Sequence, residues 1–264
     1  MESVPNNVHY TLLKGEPGTR KSTAALTWPK PQYWLSFDGK MNALTLPMRK
    51  WSVNPKEIHF DDYTDWTAAR NKLEQLQINC NYKTVIIDSV TSCADYMLRQ
   101  TIKQKIGKQR QSGAVAGKVV GGISVNELED YGAEAAGLTE MIALTKDIHK
   151  FHKIDIILIA HVIRTDYKSP DGAMHISRVL VTAGKKPAAK IPAYCDEAYH
   201  FGFEASAVVG EAGPLVVSTM NNGEDYARTT LELPALIKLG NDNLYEKFIL
   251  PAINKQGEKT NASI

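Results

Sequence analysis

Apolar residues fall along this chain in short runs separated by amphipathic stretches. Residues 10–13 (YTLL) and Thr84–Asp88 (TVIID) are nearly continuous apolar runs, as expected of strands buried on both faces of a sheet. Residues 154–160 (IDIILIA) form a third such run. Residues 32–37 (QYWLSF) are aromatic and β-prone and are closed by Asp38-Gly39, a turn pair. Between these runs the period changes. Residues 22–26 read as a helix that Pro29 and Pro31 end, since proline cannot continue one. Trp66, Ala69, Leu73 and Leu76 recur at helical spacing over residues 65–79. Residues 89–106 read as helical, and Leu128–His152 as a long amphipathic helix. Strands alternating with helices predict an α/β fold with a doubly wound, mainly parallel sheet.

Residues 107–126 are rich in glycine and basic residues and lack an apolar period, so they read as a loop insertion. From residue 176 onward, short β-like pieces at 177–182, 198–203 and 215–220 predict antiparallel strands added to the sheet edge. The polar end, residues 254–264, predicts a disordered tail. The organisation expected is one domain over residues 1–253 followed by that tail, with no internal repeat.

Composition narrows the class only slightly. The 264 residues are 43% hydrophobic and 23% charged, ample for a buried core. A net charge of +2 means that any surface for a polyanion must be local. Cys80, Cys93 and Cys195 are an odd number without metal spacing, which predicts a reducing compartment. The start MESVPNN lacks the charged and apolar regions of a secretion signal, and no apolar run approaches the ~18 residues of a membrane helix. A cytoplasmic protein without a membrane partner is expected.

The chemistry concentrates between the first strand and the first helix. A phosphate loop needs G-x-x-x-x-G-K-[ST], because glycines let backbone N–H groups close around phosphate oxygens. Gly15, Lys21 and Ser22 stand at that spacing, but Arg20 takes the place of the last glycine. Residues Gly15, Glu16, Pro17, Gly18, Thr19, Arg20, Lys21, Ser22 and Thr23 therefore form the expected nucleotide-binding segment. Arg20 leaves three readings open: a tolerated side chain, an added cation at the phosphates, or the mark of a site that binds without turnover.

Other polar residues end apolar strands. Asp88 suits the magnesium site of an ATPase opposite Ser22, or it caps the following helix together with Ser89. Asp38 aligns or deprotonates an attacking water, or it is simply part of an Asp-Gly turn. His161 senses a γ-phosphate, or it only begins a turn. Lys185, Lys186 and Lys190 cluster within six residues, and Lys108, Arg110 and Lys118 flank the glycine-rich segment. Both groups suit phosphates of a nucleic acid, and both also suit a solvated basic loop. Glu127, Glu129 and Asp130 read as a helix start.

The order of these pieces resembles the phage-encoded RecA-like ATPases of single-strand annealing and recombination, the Sak-type class. The resembling stretches are GEPGTRKST, WLSFDGK, TVIIDSVTS, ELEDYGAEAAGLTEMI, IILIAHV, TAGKKPAAKIPAYCDEAYHF and YARTTLELP. They span about residues 8–240. The resemblance implies a RecA-like P-loop NTPase core that binds ATP and Mg²⁺ and assembles as a ring or filament on single-stranded DNA, with a single-stranded-DNA-binding protein as a further partner. It implies that residues 154–161 lie between the loop strand and the Asp88 strand. It makes Asp38 the water-activating carboxylate, one methylene shorter than the more usual Glu, and it puts residues 107–126 and 165–190 where DNA-contacting loops lie. The function expected is a DNA-dependent ATPase. The rival is a nucleotide-gated binding or assembly protein with little or no hydrolysis.

Overall fold

The computed structural model describes residues 8–112, 119–120, 123–124, 128–168, 174–182, 190–204, 213–223 and 226–262. Its centre is a nine-stranded, mainly parallel sheet. The strands are β1 (Tyr10–Gly15), β2 (Gln32–Ser36), β3 (Ile58–Asp62), β4 (Thr84–Asp88), β7 (Asp155–Lys168), β8 (Met174–Leu180), β9 (Glu197–Phe203), β10 (Leu215–Ser218) and β11 (Leu236–Lys238). A separate two-residue ladder pairs β5 (Val119–Val120) with β6 (Ile123–Ser124). The order across the large sheet is β11-β10-β9-β1-β7-β4-β2-β3, with β8 paired to β7 outside that path. Pairing is parallel from β9 through β3 and antiparallel at β9–β10, β10–β11 and β7–β8.

The apolar runs become the central strands because helices cover both faces. On one face, α3 (Trp66–Ile78), α4 (Val90–Ser112) and α5 (Leu128–His152) pack against Leu12, Leu35, Val85, Ile87, Ile156 and Leu158. On the other, α1 (Lys21–Ala25), α2 (Thr45–Lys50) and α6 (Leu250–Ala262) pack around Leu13, Trp34, Ile86, Ile157 and Ile159. Helix α3 buries Trp66, Ala69, Leu73 and Leu76, the residues its spacing marks. It starts at Asp65, whose carboxylate accepts the N–H groups of Thr67 and Ala68 at 2.6 and 3.4 Å.

Three expectations change, and one strand is new. The piece at 198–203 is β9, which lies parallel to β1 inside the sheet rather than antiparallel at its edge. Helix α4 continues to Ser112, into the expected loop, because residues 108–111 (KQRQ) are good helix formers that one glycine does not stop. The polar end is helical through Ala262, since Ile249, Ala252 and Ile253 dock on the second core and carry the polar residues with them. Strand β3 has no apolar alternation to betray it: mostly exposed, it is held by its parallel ladder to β2.

At the sheet edge where β1 begins, Asp155 opens β7 with 2% exposure and accepts the His9 N–H at 2.8 Å. Burial pushes its carboxyl up to about 7 against the opposing pull of that N–H. A carboxyl raised on folding binds its proton more tightly when folded, so stability is lost as pH climbs from the ordinary carboxylate range through about 7. Asp155→Asn keeps an acceptor for His9 and removes the ionisation. We expect its melting temperature at about pH 8 to exceed that of the wild type by a few degrees, with a flatter profile above pH ~5. A variant as pH-sensitive as the wild type would place that dependence elsewhere.

Candidate nucleotide site

The parallel strands β1, β7, β4 and β2 end on the same edge of the sheet, and the candidate site is built on those ends. Register sets Gly15 beside His161, Ile159 beside Asp88, and Asp88 beside Ser36. After Ser36 the chain crosses toward β4, where the N–H groups of Phe37 and Asp38 reach the Asp88 carbonyl at 2.6 and 3.4 Å. Asp38, Asp88 and His161 are thereby brought together beside the loop of residues 15–22.

Each glycine of the loop has its own reason. A Cβ on Gly15 would meet the Phe201 carbonyl oxygen at 2.3 Å and Thr19 Oγ1 at 2.9 Å, so only glycine fits against β9. Gly18 has open space but a φ of +84°, where the demand is conformational. Arg20 also lies in the left-handed region (φ 59°, ψ 28°), which explains why a glycine is expected there. A side chain in that region costs about 1–2 kcal/mol. The Arg20 guanidinium extends across the surface to the Gly240 carbonyl and Asn241 Oδ1, both at 3.4 Å. Glu16, Pro17 and Gly18 are exposed, Thr19 is buried, and Ser22 and Thr23 are half-buried at the start of α1.

Lys21 folds back on the loop. Its Nζ donates to the carbonyls of Gly15 at 2.9 Å and Glu16 at 2.8 Å and to Thr19 Oγ1 at 3.3 Å. Burial lowers its ammonium to about 8, while Asp88, Asp38 and Glu16 pull the other way. Ser22, at the start of α1, is near enough to Asp88 to favour its charged form. Burial nevertheless pushes Asp88 up to about 6, and neighbouring Asp38 adds to the rise that Ser22, His161 and Lys21 oppose. The Asp88–Ser89 peptide bond is cis.

Asp38 has the opposite balance. Burial pushes its carboxyl up, but donors from His161, Ser92 and Ser89 outweigh that and hold it down at about 2. Ser89 Oγ donates to Asp38 Oδ1 at 3.0 Å, Ser92 Oγ donates to the same oxygen, and His161 Nε2 lies 3.5 Å from Oδ2. The His161 N–H donates to Thr91 Oγ1 at 3.0 Å, and its Nδ1 is buried without a hydrogen-bond partner among the described residues.

A magnesium ion fits this donor set. Ser22 and Asp88 offer hard oxygen ligands, and a carboxylate raised by burial gains from a cation beside it. Among the described residues no group of three or more His, Cys, Asp or Glu side chains could hold a metal. Mg²⁺ usually takes few protein ligands and completes its shell with water and substrate phosphates.

Beside the loop lies a cavity of about 530 Å³ lined by Arg20, Thr23, Leu46, Trp51, Gly240 and Asn241, among others. Sequence reasoning does not find it. Trp51 and the 240–241 turn are far apart in the chain, and neither belongs to a motif. The basic candidates fare differently. Lys190 is exposed before the turn Ile191–Tyr194. Lys108 and Arg110 lie on α4, but their side chains are outside the described residues, as are Lys118, Lys185 and Lys186 entirely.

Comparison with known proteins accords with this geometry. Residues 9–229 match the model of the AAA domain family. The chain belongs to that family. This membership supports nucleotide binding at the loop. No curated protein matches the sequence. Among solved structures, the chain is similar to the RadB recombinase, with 14% identity, a TM-score of 0.48, and 83% of this chain and 84% of that one covered. It is also similar to a KaiC-like protein from the hyperthermophilic archaeon Pyrococcus horikoshii, with 12% identity, a TM-score of 0.47, and 87% and 88% covered. Among the described residues no helix is long and apolar enough to cross a membrane.

Two outcomes follow for this family member. Arg20→Gly should fold with a melting temperature close to that of the wild type, because relief of about 1–2 kcal/mol of strain is offset by the roughly 0.5–1 kcal/mol that glycine costs in chain entropy. A loss of many degrees would show that the contacts to Gly240 and Asn241 outweigh the strain. Second, an Mg²⁺ ion held by Asp88 would compete with a proton there, so its affinity should fall as pH drops through about 6. Titration calorimetry at about pH 5 and pH 8 would show it, and pH-independent affinity would remove Asp88 from the site.

Proposed function

We propose that this AAA domain protein is a RecA-like ATPase that binds ATP with Mg²⁺ and acts on single-stranded DNA. The observation that carries the reading is the register that ends β1, β7 and β4 together, with Gly15 beside His161 and Ile159 beside Asp88, so that Asp88 lies beside the phosphate loop. It brings Ser22 and Asp88, which would be the two protein ligands of a nucleotide-bound magnesium, to one edge of the sheet on either side of strand β7. Lys21 exchanges its loop carbonyls for the β- and γ-phosphates, and Ser22 and Asp88 hold the ion. Such an ion neutralises charge on the phosphoryl group being transferred. The nucleoside lies in the cavity between Trp51 and the 240–241 turn, whose volume and partly apolar lining suit a planar base.

Asp38 orients the attacking water. Held at about 2 it is ionised at neutral pH but is a weak base, so alignment fits it better than proton removal. His161 bridges that carboxylate to the nucleotide, and its unpartnered Nδ1 supports contact with a γ-phosphate. The basic segments around Lys108, Arg110, Lys118, Lys185, Lys186 and Lys190 serve the DNA. On this reading the protein works as a homo-oligomer, ring or filament, in the cytoplasm, in phage recombination or annealing alongside a single-stranded-DNA-binding protein.

One observation favours a second reading, a nucleotide-gated assembly protein with little hydrolysis. Asp38 is short and already engaged by Ser89, Ser92 and His161, which leaves it little freedom to follow a reacting water. Steady-state ATP turnover with and without single-stranded DNA separates the two. We expect DNA-stimulated turnover. Lys21→Ala should weaken nucleotide binding at least about tenfold, and equal affinity in the two proteins would end the phosphate-loop assignment. Asp38→Asn should lower kcat by about 10²-fold with affinity nearly unchanged. If that variant hydrolysed ATP at the wild-type rate, Asp38 would be only part of a turn.

A further inference from the structure

Val90, Cys93, Ala94 and Met97 recur at helical spacing at the start of α4 and are buried in the core beneath α3, α4 and α5. That stripe sets the rotation of the helix about its axis. Ser89 and Ser92, three residues apart, then share the side that meets Asp38. Ser89 is buried and begins the helix. Its carbonyl accepts the Cys93 N–H at 2.9 Å, and its Oγ accepts the Ser92 N–H at 3.2 Å as an N-cap does. The same Oγ donates to Asp38 Oδ1 at 3.0 Å, and Ser92 Oγ donates to that oxygen as well. The two oxygens of Asp38 therefore have different surroundings. Oδ1 has two donors, which fill the lone pairs a carboxylate oxygen offers. Oδ2 faces His161 Nε2 at 3.5 Å, longer than the ~2.7–3.2 Å of an N–H···O bond, and so keeps capacity to accept.

We propose that Ser92 is a positioning residue for ATP hydrolysis: with Ser89 it ties down Asp38 Oδ1 and reserves Oδ2 for the attacking water. This rests on the reading of Asp38 as the residue that aligns that water. A carboxylate free to turn about its Cβ–Cγ bond presents either oxygen in many directions. Two donors on one oxygen remove that freedom before nucleotide arrives, so less orientation has to be gained in the transition state. The short side chain makes the anchor effective, because an aspartate has only two side-chain torsions to restrain. Ser89 alone is a weaker anchor, since its Oγ is also the cap of α4. Ser92 belongs to no motif, and its place beside Asp38 follows from the apolar stripe that orients the helix.

Steady-state kinetics of the full chain with ATP, Mg²⁺ and a single-stranded oligonucleotide test this role. Ser92→Ala should lower kcat about tenfold and leave KM within about twofold, because the hydroxyl acts on alignment of the water and not on nucleotide binding. Its affinity for a non-hydrolysable ATP analogue, measured by calorimetry, should equal that of the wild type. Alanine is a good helix former, so the melting temperature should stay close to the wild-type value. Ser92→Thr keeps a hydroxyl and should return kcat to within about threefold of the wild type. Unchanged kcat in Ser92→Ala, beside an inactive Asp38→Asn, would overturn the role of Ser92 and leave that of Asp38 standing. A rise in kcat would overturn it too, showing that the serines restrain Asp38. A loss of kcat that Ser92→Thr shares in full, or one matched by a loss of analogue affinity, would overturn it by assigning Ser92 to packing. A wild type that binds the analogue and turns over no ATP would instead overturn the hydrolysis reading, and the positioning role with it.

Discussion

The candidate site exists because parallel strands end in register on one edge of the sheet. The ladders that put Gly15 beside His161 and Asp88 beside Ser36 also decide which face each side chain takes. A slip of one residue would send Asp88 to the opposite face of β4 and part it from Ser22. Strands buried on both faces gain little register information from alternation, so other contacts must hold the ends. Two are visible. Gly15 approaches the Phe201 carbonyl too closely for any other residue, and the backbone bond from Phe37 to Asp88 fixes the crossover of β2 onto β4. The chemistry is therefore positioned by backbone geometry before any side chain is chosen.

On that frame two carboxylates lie close together with opposite electrostatics. Asp38 receives donors from two serines and a histidine, so its charge is compensated within the protein and its pKa falls. Asp88 has Ser22, His161 and Lys21 nearby, and they only partly offset its desolvation. Environments that push neighbouring titratable groups apart assign them different tasks. The uncompensated carboxylate is the one that gains from a cation, and the compensated one is already fixed in direction. The first turn of α4 makes this division, because Ser89 and Ser92 hold Asp38 while Thr91 holds the backbone of His161.

Much of this was legible in the sequence. The runs at 10–13, Thr84–Asp88 and 154–160 appear as central strands because continuous apolar runs need cover on both faces, which only a helix-flanked sheet provides. The strand, loop and helix around Gly15, Lys21 and Ser22 were legible from the apolar run before the loop and the helix formers after it, while phosphate binding there is our proposal. The position of β9 was not, since nothing local distinguishes a strand that joins β1 in parallel from one that turns back. The cavity beside Trp51 was equally hidden, as its walls come from separate parts of the chain and need only be apolar or small. The extension of β7 to Lys168, paired with β8, is likewise understated by the apolar run at 154–160.

Arg20 shows how a broken motif differs from a broken site. The motif asks for glycine there because the backbone turns left-handed, and the backbone of Arg20 makes that turn. The carbonyl of Arg20 still accepts the Ala24 N–H at 2.9 Å, so α1 begins as the loop requires. Steric demand is confined to Gly15, where a side chain would collide with β9, whereas at residue 20 the demand is one of conformational energy that surrounding structure can meet. The guanidinium then ties the loop to the 240–241 turn on the far wall of the cavity. What the substitution alters is the connection between the phosphate loop and the cavity rim, with the geometry of the loop itself retained.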